Sequence, residues 1–124
     1  MYTQEKIIEG RKITEREQLY LIDTGKTWLV RRYICKYRLS AKAQILMVKK
    51  SRNRLFHDYV VRYDLAPIAQ KKMIEMKNIN LFDIFIQHHN LSVIAQKKLC
   101  DPCYADMMNE YLKYHNIHPA ALKN

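Results

Sequence analysis

The feature that most constrains this chain is a period. Gln18, Gln44, Gln70 and Gln96 stand 26 residues apart. Four more columns keep the same step: Tyr33, Tyr59, Phe85, Tyr111; Leu29, Leu55, Leu81, Met107; Leu39, Leu65, Leu91, Ile117; and Tyr37, Tyr63, His89, His115. Ala69-Gln70-Lys71-Lys72 returns as Ala95-Gln96-Lys97-Lys98. Five columns in one register without a gap mean that one supersecondary unit is written four times. The repeats read as residues 14–39, 40–65, 66–91 and 92–117. Residues 1–13 read as an N-terminal capping half-repeat and 118–124 as a C-terminal tail opening a fifth unit, all within a single domain spanning 1–124.

Each unit predicts two short helices. With only 2 Gly and 3 Pro in 124 residues, a turn-rich β architecture is disfavoured. The first helix of each unit should begin after Thr14, Ser40, Ala66 or Ser92. Thr14 with Glu17 spells a capping box, Ser40 and Ser92 are good caps, and Pro67 suits the first helical position. Its inward face carries Leu21–Ile22, Met47–Val48, Met73–Ile74 and Leu99–Cys100, with Ala43, Ala69 and Ala95 one turn earlier to allow close approach. Breakers follow at Thr24-Gly25, Ser51, Asn78 and Asp101-Pro102. The second helix has the clearer stripe: Leu29, Val30, Tyr33, Ile34 and Tyr37, echoed from Leu55, Leu81 and Met107. Asp64, Asn90 and Asn116 are expected in the left-handed position that ends it. In the cap, Ile7 and Ile8 are expected to face inward.

Neither helix can bury its apolar face alone, whereas stacked hairpins bury one another's. The expected fold is all-α, a right-handed α-solenoid of about four 26-residue helix-turn-helix repeats. Over nearly the whole chain the pattern resembles the broad class of HEAT-like and TPR-like helical-hairpin repeat proteins. The unit is shorter than in those repeats and their signature residues are absent, so the resemblance carries no residue roles. A polar Gln held beside apolar neighbours in every unit predicts a recurring hydrogen bond from each hairpin to the backbone turn of the next.

Function is written mainly in the charge. The net charge is +10. Residues 1–62 hold 15 Lys/Arg against 6 Asp/Glu, and residues 63–124 hold 7 against 6. No acid stands between Asp23 and Asp58. Helical periodicity collects Arg31, Arg32, Lys36 and Arg62 opposite the apolar stripe, and the turns add Lys49, Lys50 and Arg54. This basic ridge should fade towards the C-terminus. Mixed signs suffice for solubility, so the expectation is an interaction module with an acidic protein surface as partner. The second expectation is nucleic acid, held by its phosphates on the same residues. Trp28 occupies a column otherwise filled by Arg54, Asn80 and Asp106. It either packs beneath the N-terminal helix or anchors the interface. Ile68, Ile84 and Ile94 fall on faces expected to be exposed, and an uncapped repeat end is a candidate homodimer surface.

Chemical motifs are sparse. Cys100-Asp101-Pro102-Cys103 with His115 and His118 approximates a zinc pattern. However, ten helical residues span about 15 Å, which separates the His from the Cys, and zinc needs ligands within about 2.3 Å. A redox pair at Cys100 and Cys103 lacks the βαβ surroundings it usually has, and Cys35 reads as an ordinary thiol. Two glycines cannot supply a phosphate loop. No enzyme activity, cofactor or metal is therefore expected. No stretch reaches the roughly 18 apolar residues of a membrane helix, and the start of the chain lacks a secretory layout. Three cysteines in a chain that needs no staples point to a cytoplasmic location.

Overall fold

The computed structural model describes residues 2–122. Met1 of the expected cap and residues 123–124 of the expected tail lie outside the described residues. The described chain is all-α, with nine α-helices and no strand. They are α1 (Thr3–Ile8), α2 (Glu15–Asp23), α3 (Thr27–Ile34), α4 (Ala41–Lys49), α5 (Asn53–Arg62), α6 (Pro67–Glu75), α7 (Ile79–Ile86), α8 (Val93–Leu99) and α9 (Ala105–Leu112). Short 3₁₀ turns occupy Pro102–Tyr104 and Pro119–Leu122.

The first helices begin where their caps are written. Thr14 accepts from the Glu17 N–H at 3.1 Å, and the Glu17 carboxylate accepts from the Thr14 N–H at 3.0 Å, closing the capping box. Ser40 and Ser92 accept from Ala43 and Ala95 at 3.1 and 3.2 Å. Ala66 offers no side-chain acceptor, and Pro67 opens α6 with no N–H to satisfy.

The left-handed residues are not where the sequence suggested. Asp64, Asn90 and Asn116 do not have positive φ; Gly25, Ser51 and Lys77 do, at 78°, 51° and 53°. These three share the repeat spacing and sit at the turn inside each hairpin. There the N–H groups of Gly25, Ser51 and Lys77 return to the carbonyls of Ile22, Val48 and Ile74. A sharp reversal is needed there because two short helices must fold back on each other. The longer connections after α3, α5, α7 and α9 contain no left-handed residue, whereas the one after α1 turns through Gly10 at φ 75°. In the last unit Asp101 caps a 3₁₀ turn instead, with Pro102 fixing its first φ.

Packing follows two rows. Helices α2, α4, α6 and α8 contact one another in chain order, as do α1, α3, α5, α7 and α9. Ala43, Ala69 and Ala95 are fully buried in the first row, where the lack of a side chain beyond Cβ lets neighbouring backbones approach. The stripes of the second row are buried as expected: Leu29, Tyr33, Leu55, Tyr59, Leu81, Phe85, Met107 and Tyr111. Two positions differ. Ile8 is 48% exposed, because α1 is a six-residue helix covered by α3 on one side. Ile84 is half-buried against the core, because α7 is flanked by both α5 and α9.

Two hydrogen-bond ladders tie consecutive units. In the first row, Nε2 of Gln44, Gln70 and Gln96 donates to the carbonyls of Leu39, Leu65 and Leu91 at 3.0, 2.8 and 2.8 Å. Oε1 of Gln18, Gln44 and Gln70 accepts from the N–H of Ser40, Ala66 and Ser92 at 2.8, 2.7 and 2.7 Å. Oε1 of Gln96 takes the His118 N–H in the same way at 2.6 Å. The amide side chain therefore bridges two backbone segments that would otherwise be buried unsatisfied.

In the second row the ring at each unit's end reaches back to the preceding unit. The Tyr63 hydroxyl donates to Ile34 O at 2.7 Å, and Nε2 of His89 and His115 contacts Val60 O and Ile86 O at 2.6 Å. A carbonyl only accepts, so both imidazoles carry their proton on Nε2. Each ring also lies against the aromatic residue one turn before it, with centroids about 5 Å apart, as in the Tyr59–Tyr63 pair at 5.0 Å.

One rung is built differently. The hydroxyls of Tyr33, Tyr59 and Tyr111 accept from the N–H of Ile13, Leu39 and Leu91. Phe85 has no hydroxyl, and Asp64 Oδ1 accepts from Leu65 N–H at 2.8 Å in its place. Asp64→Ala should therefore cost about 1 kcal/mol in urea unfolding, the worth of a hydrogen bond with a charged acceptor partly replaced by water. Phe85→Tyr should restore much of that loss in the Asp64→Ala background and gain little in the parent, where the carboxylate already serves the amide. Additive effects across this double-mutant cycle would mean the two groups do not substitute for one another.

Candidate partner-binding cleft

The eight residues of the expected ridge separate into distinct places. Trp28, Arg31, Arg32 and Arg62 come together and line a cleft of ≈ 300 Å³ with Cys35 and Asp58, between α3 and α5. Lys36 lies beyond the end of α3, where its Nζ donates to Gly10 O at 2.8 Å. Lys50 pairs with Asp23 at 3.0 Å, across the turns of consecutive units. Lys49 closes α4 in the other row, beside Leu19, Lys42, Ile45 and Leu46. Arg54 is exposed near the start of α5.

The cleft exists because the second helices stack with a step of 26 residues, so the outer face of α3 meets that of α5. Trp28 is 56% exposed. It is therefore not buried beneath α1 and instead faces the cleft shared with Asp58 and Arg62 of α5. Arg31 Nε meets Asp58 Oδ2 at 2.5 Å, and Arg62 Nη1 donates to Asp58 O at 2.9 Å. Asp58 therefore neutralises Arg31 and fixes the wall of the cleft. Arg32 remains exposed beside Trp28 and makes no ion pair among the described residues. The Cys35 thiol donates to Arg31 O at 3.3 Å and is exposed in the cleft lining.

The basic character ends at α5. On α7 and α9 the corresponding surface offers Asp83 and Glu110. Burial, then the nearby Glu110 carboxylate, raises the pKa of Asp83.

Among the described residues, no three of His, Cys, Asp and Glu gather as metal ligands would. The Cys100 thiol faces Ala121 O at 3.9 Å, while Cys103 is exposed at the following turn. His57 and His88, on neighbouring units, meet edge-on with centroids 5.8 Å apart, a proximity that sequence reasoning missed. Their 31-residue separation departs from the repeat step, so the columns gave no signal for it. No helix among the described residues is long and apolar enough to cross a membrane.

No family model, curated protein or solved structure matches the chain.

Proposed function

We propose that the chain is a non-enzymatic protein-interaction module, a right-handed α-solenoid of four 26-residue hairpins that docks an acidic protein partner in the Trp28 cleft. The recurring Gln bridges and the two rows of helices support the array. The single observation that carries the function is the exposure of Trp28 at the rim of a cleft shared with three arginines. A large apolar ring in water has no role in the fold, since the same column elsewhere holds Arg54, Asn80 and Asp106. Trp and Arg are the side chains that most often dominate binding energy. Here Trp28 supplies apolar area while Arg32 and Arg62 steer and pair carboxylates. Three free cysteines suit a reducing, cytoplasmic setting. The second reading, nucleic acid held by its phosphates, draws on the +9 balance of residues 1–62.

The test compares the wild type with Trp28→Ala and Arg32→Glu in affinity capture, alongside a labelled DNA duplex at about 50 and 200 mM salt. The expected result is a partner retained by the wild type and lost by at least about tenfold in each variant, the scale of a hot-spot truncation. Micromolar duplex binding that falls by at least about tenfold at the higher salt would put the nucleic-acid reading first.

A further inference from the structure

The first row of helices carries a second surface, separate from the Trp28 cleft. Between α2 and α4 lies a groove of ≈ 260 Å³ with Leu19, Ile45 and Leu46 as its floor and Lys42 and Lys49 on its rim. The three floor residues are half-buried against the core, so the groove is recessed rather than protruding. We propose that this groove is the docking site for an acidic amphipathic helix of another protein.

The repeat itself shows that the fold does not require an apolar floor here. The column of Leu19 and Ile45 continues as Lys71 and Lys97, and that of Tyr20 and Leu46 as Lys72 and Lys98. Units three and four fold with lysine at both positions. Units one and two carry apolar side chains at positions the architecture leaves to solvent, which gives them a use outside the fold.

The occupant follows from shape and charge together. Lys42 and Lys49 are exposed and make no ion pair among the described residues. Of the acids on α2, Glu17 is engaged by Lys6 and Asp23 by Lys50, while Glu15, in the exposed first turn, pairs with neither lysine. Seven residues along α4 set the Lys42 and Lys49 backbone positions about 10 Å apart, two helical turns on one face. A partner helix with Leu-sized residues along one face and Glu or Asp two turns apart beside them matches both floor and rim. A bilayer would meet protruding apolar tips, and these are recessed. A phosphate backbone would use the lysines and leave the apolar floor unmatched.

The probe is a labelled helical peptide of about 18 residues with a Leu stripe flanked by Glu. Its controls are the same peptide with Lys for each Glu, phosphatidylserine vesicles and a DNA duplex. Binding of the acidic peptide below about 100 µM is expected, with the basic peptide at least about tenfold weaker. Ile45→Lys with Leu46→Lys uses the repeat's own residues, so folding should persist, and circular dichroism checks it. This variant adds positive charge yet should weaken the acidic peptide at least about tenfold, because the floor is lost. Lys42→Glu with Lys49→Glu should weaken it similarly. Failure to bind up to about 1 mM overturns the proposal. So does unchanged or tighter binding by the double-lysine variant, which would reduce the face to simple electrostatics. Loss in Arg32→Glu alone would move the peptide to the Trp28 cleft, and preference for vesicles or duplex over peptide would replace the partner class; each outcome also overturns it.

Discussion

Gln70→Leu should lower the unfolding free energy by about 2–4 kcal/mol, measured by urea denaturation with an unchanged slope. Gln70 is 1% exposed and bonds in both directions, its Nε2 also donating to Asp64 Oδ1 at 3.3 Å. Its Nε2 serves Leu65 O at 2.8 Å, at the start of its own unit, and its Oε1 serves Ser92 N–H at 2.7 Å, at the start of the next. Leucine keeps the volume and the apolar burial, so the cavity contribution is small. What remains is a backbone carbonyl and a backbone amide left in the interior, each costing about 1–3 kcal/mol. Ser92 is also the cap of α8, so a displaced Ser92 endangers that helix start as well. Lys71→Leu, on the next residue and exposed, should stay within about 0.5 kcal/mol. A cost below about 1 kcal/mol at Gln70 would show that water replaces the amide, and the Gln column would lose its structural role.

The second large effect is expected in acid. Glu17 ties α1 to the start of α2: it accepts from the Thr14 N–H, from the Thr3 hydroxyl and from Lys6 Nζ at 3.0 Å. The backbone N–H of Thr14, then the Thr3 hydroxyl, with Lys6 adding, lower its pKa from 4.5 to about 2. A folded-state pKa below the unfolded one stabilises the fold above about pH 4.5, and that contribution is lost as pH falls towards about 2. At about 1.4 kcal/mol per unit, discounted for solvent screening at this position near the surface, the linkage is worth about 1–2 kcal/mol. Glu17→Gln should therefore be less stable than the wild type at pH 7, and the two should converge near pH 2. Because α1 is held to α2 through this carboxylate, the loss should appear first as faster amide exchange in Ile7 and Ile8. A gap between the two proteins that is equal at pH 7 and pH 2.5 would remove the charge from the explanation.

Much of the local structure is legible in the sequence because it depends on residues close in the chain. Caps are short-range chemistry: Thr14, Ser40 and Ser92 need only the amide three residues ahead, and each helix begins after them. The Gln bridge was legible for a different reason. A polar residue beside apolar neighbours in four successive units leaves few partners other than backbone, and the reach of one amide spans one unit start to the next. The residues that form the left-handed turns were less legible. Asp64, Asn90 and Asn116 are the better intrinsic formers of that conformation, yet Ser51 and Lys77 adopt it because the hairpin reversal falls on them. Local preference lost to the geometry of closing the hairpin.

The same division applies to the candidate site. The sequence by itself determined the period, the helix starts, the buried stripes and the concentration of positive charge in the first half of the chain. It could not determine how that charge is shared out, because helical periodicity assigns a face without saying what the neighbouring unit brings to it. The tertiary structure set Asp58 against Arg31, tied Lys36 to Gly10 and Lys50 to Asp23, and moved Lys49 to the other row. It left Trp28 in solvent beside Arg32. It also put Asp64 where Phe85 lacks a hydroxyl, a substitution between residues in different units that no single column reveals. The physical reason is common to all of these. Within one unit the backbone fixes neighbours at known offsets, whereas contacts between units depend on how one hairpin is set against the next, and only packed helices fix that.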